Sequence, residues 1–215
     1  INNALQKCST LCQYPHIIKV GKSNQKSGLN DYGSTAKNVA DFSKTQYTDS
    51  SKGIIVGATA YSPYTKKLQF MNWDVVIIDE AGQMDVPLAV AVMAKSARYI
   101  LVGDHKQLPP IISHEQKDPV FSKSIFENLF QHSGGTMLDV TYRMNKWINA
   151  FPSKQFYGST LMSHSECENQ LLSIENGFDK NPKVLDRNNP EVLVTYNQCS
   201  DKSISPFEAG LIKDF

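Results

Sequence analysis

Hydrophobic residues in this chain come in short unbroken runs set between polar stretches, the pattern of strands buried on both faces of a parallel sheet. Val75-Val76-Ile77-Ile78 leads into Asp79-Glu80, and Tyr99-Ile100-Leu101-Val102 leads into Gly103-Asp104-His105-Lys106-Gln107. Ile17 to Val20 is a further strand, as is Gly53-Ile54-Ile55-Val56, which ends in Gly57-Ala58-Thr59. Between the first two runs, Asp85 is placed to cap a helix that has Pro87 in its first turn and continues through Leu88, Val92 and Met93 to Lys95. A strand, a crossover helix and a second parallel strand bring both carboxyl ends to one edge of the sheet, where open α/β folds bind ligands.

The remaining elements are less regular. Ala4 to Cys12 reads as the end of a helix with Ala4, Leu5, Cys8 and Leu11 on one face. Lys22 to Lys52 is a polar insertion, with Val39 and Phe42 as the expected anchors of a small helix. Six lysines against three aspartates between Lys19 and Lys52 make it mildly basic, which suits a solvated surface or a nucleic-acid contact. Ser124 to Leu129 has the Ser-to-Glu spacing of a capped helix, and Ser133-Gly134-Gly135 is a hinge. Met137 to Val140 is expected to be a strand. Pro152, in Phe151-Pro152-Ser153, is expected to interrupt one helix and start another turn, which Gly158 closes. Val192 to Tyr196 reads as a strand, and Glu208 to Phe215 as the start of a helix.

Composition narrows the class. A chain of 215 residues with 40% hydrophobic content buries an ordinary core and is neither fibrous nor disordered. Lys and Arg number 22 against 21 Asp and Glu, so any nucleic-acid binding has to be local. The longest apolar stretch, Val86 to Ala94, falls far short of the roughly 20 residues that span a bilayer. Cysteines at 8, 12, 167 and 199 form no disulfide ladder, which fits a reducing, intracellular compartment. Cys8, Cys12 and His16 are spaced by four as metal ligands on one helix face would be, but Pro15 intervenes and core packing is the favoured reading of the cysteines.

The chemistry follows from the two strand ends. Asp79 can hold Mg²⁺ directly or through water, because that ion keeps most of its hydration shell and takes few protein carboxylates. Glu80 would face a terminal phosphate and orient the attacking water. Gln107 brings to the same edge an amide that can donate to a γ-phosphate and accept from water, and Leu108-Pro109-Pro110 stiffens the exit. A single strand ending in Asp-Glu is also what a chain leaving its core for solvent looks like. Two such strands in this context point to an NTP-hydrolysing site.

Val76-Ile77-Ile78-Asp79-Glu80-Ala81-Gly82-Gln83, Leu101-Val102-Gly103-Asp104-His105-Lys106-Gln107-Leu108-Pro109-Pro110 and Thr141-Tyr142-Arg143-Met144-Asn145, in this order, resemble motifs II, III and IV of superfamily 1 helicases. The closest resemblance is to the branch of the nonsense-mediated decay helicase, senataxin-like helicases and the replication nuclease-helicase; Phe151-Pro152-Ser153 with Phe156-Tyr157 is similar to the senataxin-like pattern. The resemblance implies an α/β, RecA-like P-loop NTPase fold with a parallel sheet flanked by helices. Residues 1–134, with the insertion at about 21–52, would belong to a first RecA-like domain, and residues 135–215 would begin a second. It assigns Asp79 to magnesium, Glu80 to water activation, Gln107 to γ-phosphate sensing and Arg143 to an arginine finger. It also implies ATP and Mg²⁺ as cofactors and 5′-to-3′ movement on single-stranded DNA or RNA, contacted by Asn3, Thr59, Pro109 and Pro110; a monomer without a membrane partner is expected.

This chain departs from the family at Thr141, where relatives commonly have Gln, and at Gly82, where they have Ser or Ala. It contains no Gly-x-x-x-x-Gly-Lys-Ser/Thr phosphate loop. That loop is expected upstream of Ile1 and motifs V and VI beyond Phe215, which makes the chain a portion truncated at both ends and inactive alone. A non-catalytic nucleic-acid or protein binding module retaining the fold, and an NTPase switch that moves no strand, are the competing readings.

Overall fold

The strand at the centre of the first half is β1 (His16–Val20), in which every residue from Ile17 to Val20 is buried. It pairs in parallel with β2 (Lys37–Val39) on one side and β3 (Ile54–Gly57) on the other. Ile17 packs with Leu5 of α1 (Asn2–Leu11), Leu29 and Ala36. Ile18 and Val20 pack with Phe42 and Leu68 in a separate cluster, so this strand has the double burial that an unbroken apolar run requires. The computed structural model describes residues 1–11, 16–22, 29, 35–42, 53–112, 118–171, 190–192 and 205–213. The chain divides into two units, Ile1–Gly134 and Gly135–Phe215.

A second parallel pair in the first unit joins β4 (Val76–Ile78) to β5 (Tyr99–Leu101), with Val76 opposite Tyr99 and Ile78 opposite Leu101. The crossover is α2 (Val86–Met93), started by Asp85, whose carboxylate accepts the Leu88 N–H at 2.8 Å. It ends at Met93, two residues before the expected Lys95, whose ammonium instead donates to the Gln69 carbonyl at 2.9 Å. α3 (Ile125–Ser133) is capped by Ser124, which accepts the Glu127 N–H at 3.1 Å. Ile78, Ala81, Val86, Ala89, Val92 and Ile125 form the core between these strands and helices.

Three expectations are corrected in this unit. Double burial fails for β4 and β5: Ile77 and Ile100 are 65% and 52% exposed, because among the described residues the helices cover one face of the pair only. Val39 and Phe42 anchor no helix. Lys37–Val39 is extended, since pairing beside β1 satisfies its backbone, and Phe42 is buried with its ring edge-on to Trp73 at 6.0 Å. On α1 only Leu5 of the expected face is buried, Ala4 and Leu11 being exposed; Cys12 lies outside the described residues.

The second unit contains another parallel pair, β6 (Val140–Thr141) with β7 (Met162–Ser163), connected through α4 (Lys146–Phe156). Met137 to Asp139 are not part of the strand, contrary to expectation. Nor does Pro152 interrupt the helix: it lies inside α4. Interior proline removes a backbone bond and costs ~3 kcal/mol or more in an ordinary helix. Here the Asn149 amide and the Ser153 hydroxyl, one turn apart and buried, both donate to the Leu161 carbonyl at 2.8 Å and hold the helix on either side of it. α5 (Pro206–Lys213) begins two residues before the helix expected from Glu208, residues 214–215 lying outside the described residues, and the strand expected at Val192 to Tyr196 lies outside them beyond Val192. No helix among the described residues is long and apolar enough to cross a membrane.

Asn145 starts α4 in two ways: its carbonyl oxygen accepts the Ile148 N–H at 2.9 Å, and its amide donates to the Gln170 carbonyl at 2.8 Å. Replacing it with Ala removes a cap and a buried hydrogen bond together, which is expected to cost about 2 kcal/mol. Urea denaturation followed by circular dichroism measures this; a loss below a few tenths of a kcal/mol would contradict the role given to Asn145.

Candidate nucleotide and strand site

Asp79 and Glu80 leave the carboxyl end of β4, and Gln107 lies in the loop that leaves β5. Because the two strands are adjacent and parallel, all three residues issue from the same edge. The ladder continues past the regular strands: Val102 N–H donates to the Ile78 carbonyl and Ala81 N–H donates to the Val102 carbonyl, each at 2.9 Å. Beyond that point the two backbones touch. A Cβ on Gly82 would lie 2.4 Å from the Asp104 carbonyl oxygen, and one on Gly103 would lie 2.7 Å from the Gly82 nitrogen. Only glycine permits so close an approach on both sides. The departure at Gly82 therefore has a structural counterpart in how tightly the two exit loops pack.

Ile78 and Ala81, both buried, bracket Asp79 and Glu80, both exposed. To turn out of the core between them, Glu80 adopts a left-handed backbone with φ 56° and ψ 37°, a conformation that is uncommon for a residue with a side chain and tends to concentrate at functional sites. The Glu80 N–H donates to Asp79 Oδ1 at 3.1 Å, and the Gln83 amide donates to Glu80 Oε2 at 3.5 Å. These carboxylates are oxygen donors and suit a hard cation such as Mg²⁺, which needs only one or two of them. Among the described residues there is no cluster of three or more His, Cys, Asp or Glu that could hold a metal. His16 opens β1 and is not on α1, so the helix face once conceivable for Cys8, Cys12 and His16 does not form.

The loop after β5 is organised by residues that sequence reasoning passed over. Asp104 accepts from the Lys106 N–H and from the Gln107 side-chain amide, each at 2.9 Å, so Gln107 is held by its own loop. His105 lies against Phe126 and Phe130 of α3. Pro109 is exposed and Pro110 is buried.

Asn3 and Thr59 line one cleft of about 620 Å³, together with Lys19, Lys22, Ser62 and Lys67. α1 brings its first turn to this cleft, β1 its carboxyl end, and the segment after β3 brings Thr59, whose hydroxyl lies 3.0 Å from that of Ser62. The basic residues were legible only as composition: Lys19 is buried, not on a solvated surface, and Lys67 lies far from the basic stretch in sequence.

Arg143 belongs to the second unit, exposed in the loop between β6 and α4, with its N–H donating to the Thr141 hydroxyl at 3.2 Å. The thiol of buried Cys167 lies 3.4 Å from the Thr141 carbonyl and 3.5 Å from that of Met144, bracketing the arginine.

Two family models, each described as an AAA domain, match residues 18–115 and 121–208. The chain belongs to the AAA-domain family of superfamily 1 helicases related to the nonsense-mediated decay helicase. It is 32% identical over 120 residues to a protein of Methanocaldococcus jannaschii named as an uncharacterized ATP-dependent helicase, a match covering 55% of this chain and 18% of the relative. Identity is 38% over 116 residues to the DNA replication ATP-dependent helicase/nuclease of Gallus gallus, covering 53% and 11%. To the DNA polymerase alpha-associated DNA helicase A of Schizosaccharomyces pombe it is 35% over 121 residues, covering 55% and 18%. The chain thus spans less than a fifth of the length of these relatives. Parallel strands joined by helices, with AAA domains matched along the chain, fit a P-loop NTPase fold.

The glycine contact makes a direct test of the site's frame. Gly103→Ala would press a methyl group onto backbone that cannot rotate away, so it is expected to cost about 1–3 kcal/mol and to accelerate amide exchange at Ala81. Unchanged stability together with unchanged exchange would show that the loops are not packed as described.

Proposed function

We propose that the protein containing this chain is an ATP-dependent superfamily 1 helicase or translocase with RecA-like domains, moving 5′ to 3′ on single-stranded DNA or RNA inside the cell. The observation that carries the reading is the shared edge of β4 and β5, from which Asp79, Glu80 and Gln107 all issue. Family membership and relatives named as ATP-dependent helicases support it. The 5′-to-3′ polarity rests on resemblance to this branch.

In this reading Asp79 holds Mg²⁺, which when bound offsets charge on the phosphate oxygens. Glu80 accepts a proton from the attacking water and orients it. Gln107 would exchange its hydrogen bond with Asp104 for one with a γ-phosphate, so that the loop after β5 registers whether that phosphate is present. Arg143 would supply positive charge to the transferring phosphoryl group, the arginine-finger role that the resemblance implies. The cleft holding Asn3 and Thr59 grips the strand. Its lysines and hydroxyls suit phosphate oxygens and read no base edges, so the grip is independent of sequence.

Glu80→Gln keeps the shape of the site and removes its base. In the complete protein it is expected to lower strand-stimulated turnover by about a hundredfold or more while ATP and strand binding survive. Arg143→Ala should also slow hydrolysis and weaken the coupling between ATP and strand affinity. The deciding measurement is ATPase activity with and without a single strand, beside equilibrium strand binding. Near-normal turnover by Glu80→Gln would end the assignment, and strand binding by a wild type that never hydrolyses ATP would favour the non-catalytic module.

A separate prediction concerns the cleft. Lys67→Ala should weaken binding of every single-stranded sequence alike and reduce the slope of log affinity against log salt by about 1, the loss of one phosphate contact. Fluorescence anisotropy of labelled oligonucleotides across a salt series measures it. An unaltered slope would place the strand elsewhere.

A further inference from the structure

The geometry points to His105 as a positioning residue: its ring, lodged against Phe130 and Phe126, fixes to α3 the loop that carries Gln107. The inference rests on the γ-phosphate role proposed for Gln107. Inside the loop, Asp104 accepts from both the Lys106 N–H and the Gln107 amide, which ties residues 104, 106 and 107 together. Its backbone also passes in close contact with Gly82, at Gly103 and Asp104. His105 adds an attachment to α3 through its ring. The His105 ring centroid lies 4.8 Å from that of Phe130 at 32° and 6.1 Å from that of Phe126 at 25°. Those two phenylalanines, one helical turn apart, stack on each other at 5.8 Å and 14°, so their rings form one continuous aromatic surface.

The platform's place in the chain gives the contact its consequence. Phe126 packs on the core that also contains Ile78 and Ala81, the residues flanking Asp79 and Glu80. Phe130 lies one turn before the end of α3, where the backbone reverses at Gly134 with φ +64°. A displacement of the loop on gain or loss of a γ-phosphate contact would therefore load α3 through His105, and α3 is the last element before the first unit ends. The contact is made by the faces of the rings. Its effect should depend on an aromatic surface at position 105 and not on imidazole chemistry.

Amide exchange in the 215-residue chain and turnover by the complete protein test this separately. His105→Ala should speed exchange of the Lys106 N–H by about tenfold or more. In the complete protein it should lower strand-stimulated kcat by about tenfold with the KM for ATP within about twofold of wild type. His105→Phe should restore both. Phe130→Ala should reproduce the kcat loss, and the double variant should be no worse than the poorer single one, as expected for two partners in one contact. Unchanged Lys106 exchange in His105→Ala, or a His105→Phe variant as impaired as His105→Ala, would overturn the inference. A wild type without strand-stimulated turnover would instead remove the proposed function, leaving the exchange measurements to decide whether His105 holds the loop.

Discussion

The edge of the second sheet depends on how closely the backbone leaving β4 can pass the backbone leaving β5. Pairing runs through Val102 and Ala81, past the last regular residue of either strand, and then Gly82 and Gly103 let the chains touch where side chains would hold them apart. The close passage sets the register between Asp79-Glu80 on one side and the Asp104–Gln107 loop on the other. It also explains why the unusual conformation falls on Glu80. The chain has to return Ala81 to the core within two residues of leaving it, and a left-handed residue makes that reversal. A backbone constraint of this kind is stiffer than one made by side chains, because it has no rotamers through which to relax.

The two sheets show what an unbroken apolar strand can and cannot promise. β1 has a strand on either side and a packed cluster against each face, and it is buried from Ile17 to Val20. β4 and β5 carry the same kind of sequence, yet Ile77 and Ile100 present their side chains on a face that the described residues do not cover. The cohesion of this part comes from the other face, where Ile78 and Ala81 meet α2 and α3. That core is continuous with the candidate site, since its residues are the immediate neighbours of Asp79 and Glu80. Packing lost beneath the carboxylates would be felt at them directly.

Much of this arrangement was legible in the sequence because it is local. Asp85 before Val86-Pro87 and Ser124 three residues before Glu127 are caps whose chemistry operates within one turn, and both form as expected. The parallel order of β4 and β5 follows from one crossover helix. Residues 37–39 were misread because strand and helix differ there by what lies alongside, and Val39 carries no sign that β1 will. Pro152 was misread for a similar reason: its penalty is local, but the Leu161 carbonyl that steadies the surrounding helix is remote. In the site, Asp79, Glu80 and Gln107 were visible as strand ends. The supports were not, because the partners of His105 lie more than twenty residues away on α3 and Lys67 meets Lys19 and Lys22 only once the strands are paired.

The second unit supports Arg143 by a different means. Its loop is held at its ends, not along its length: Thr141 belongs to β6, and Asn145 starts α4. Cys167 spans those ends from beneath, its sulfur within 3.5 Å of the Thr141, Met144 and His164 carbonyls. A thiol carries one proton, so these are alternative acceptors and the sulfur serves mainly as a small buried filler with a weak polar preference. Tyr142 stacks on His164 at 4.1 Å and closes the remaining side. The backbone on both sides of Arg143 is therefore located while its side chain stays exposed. Such a mounting keeps the guanidinium hydrated on an ordered backbone, so that under the role proposed for Arg143 only the side chain would have to be immobilised.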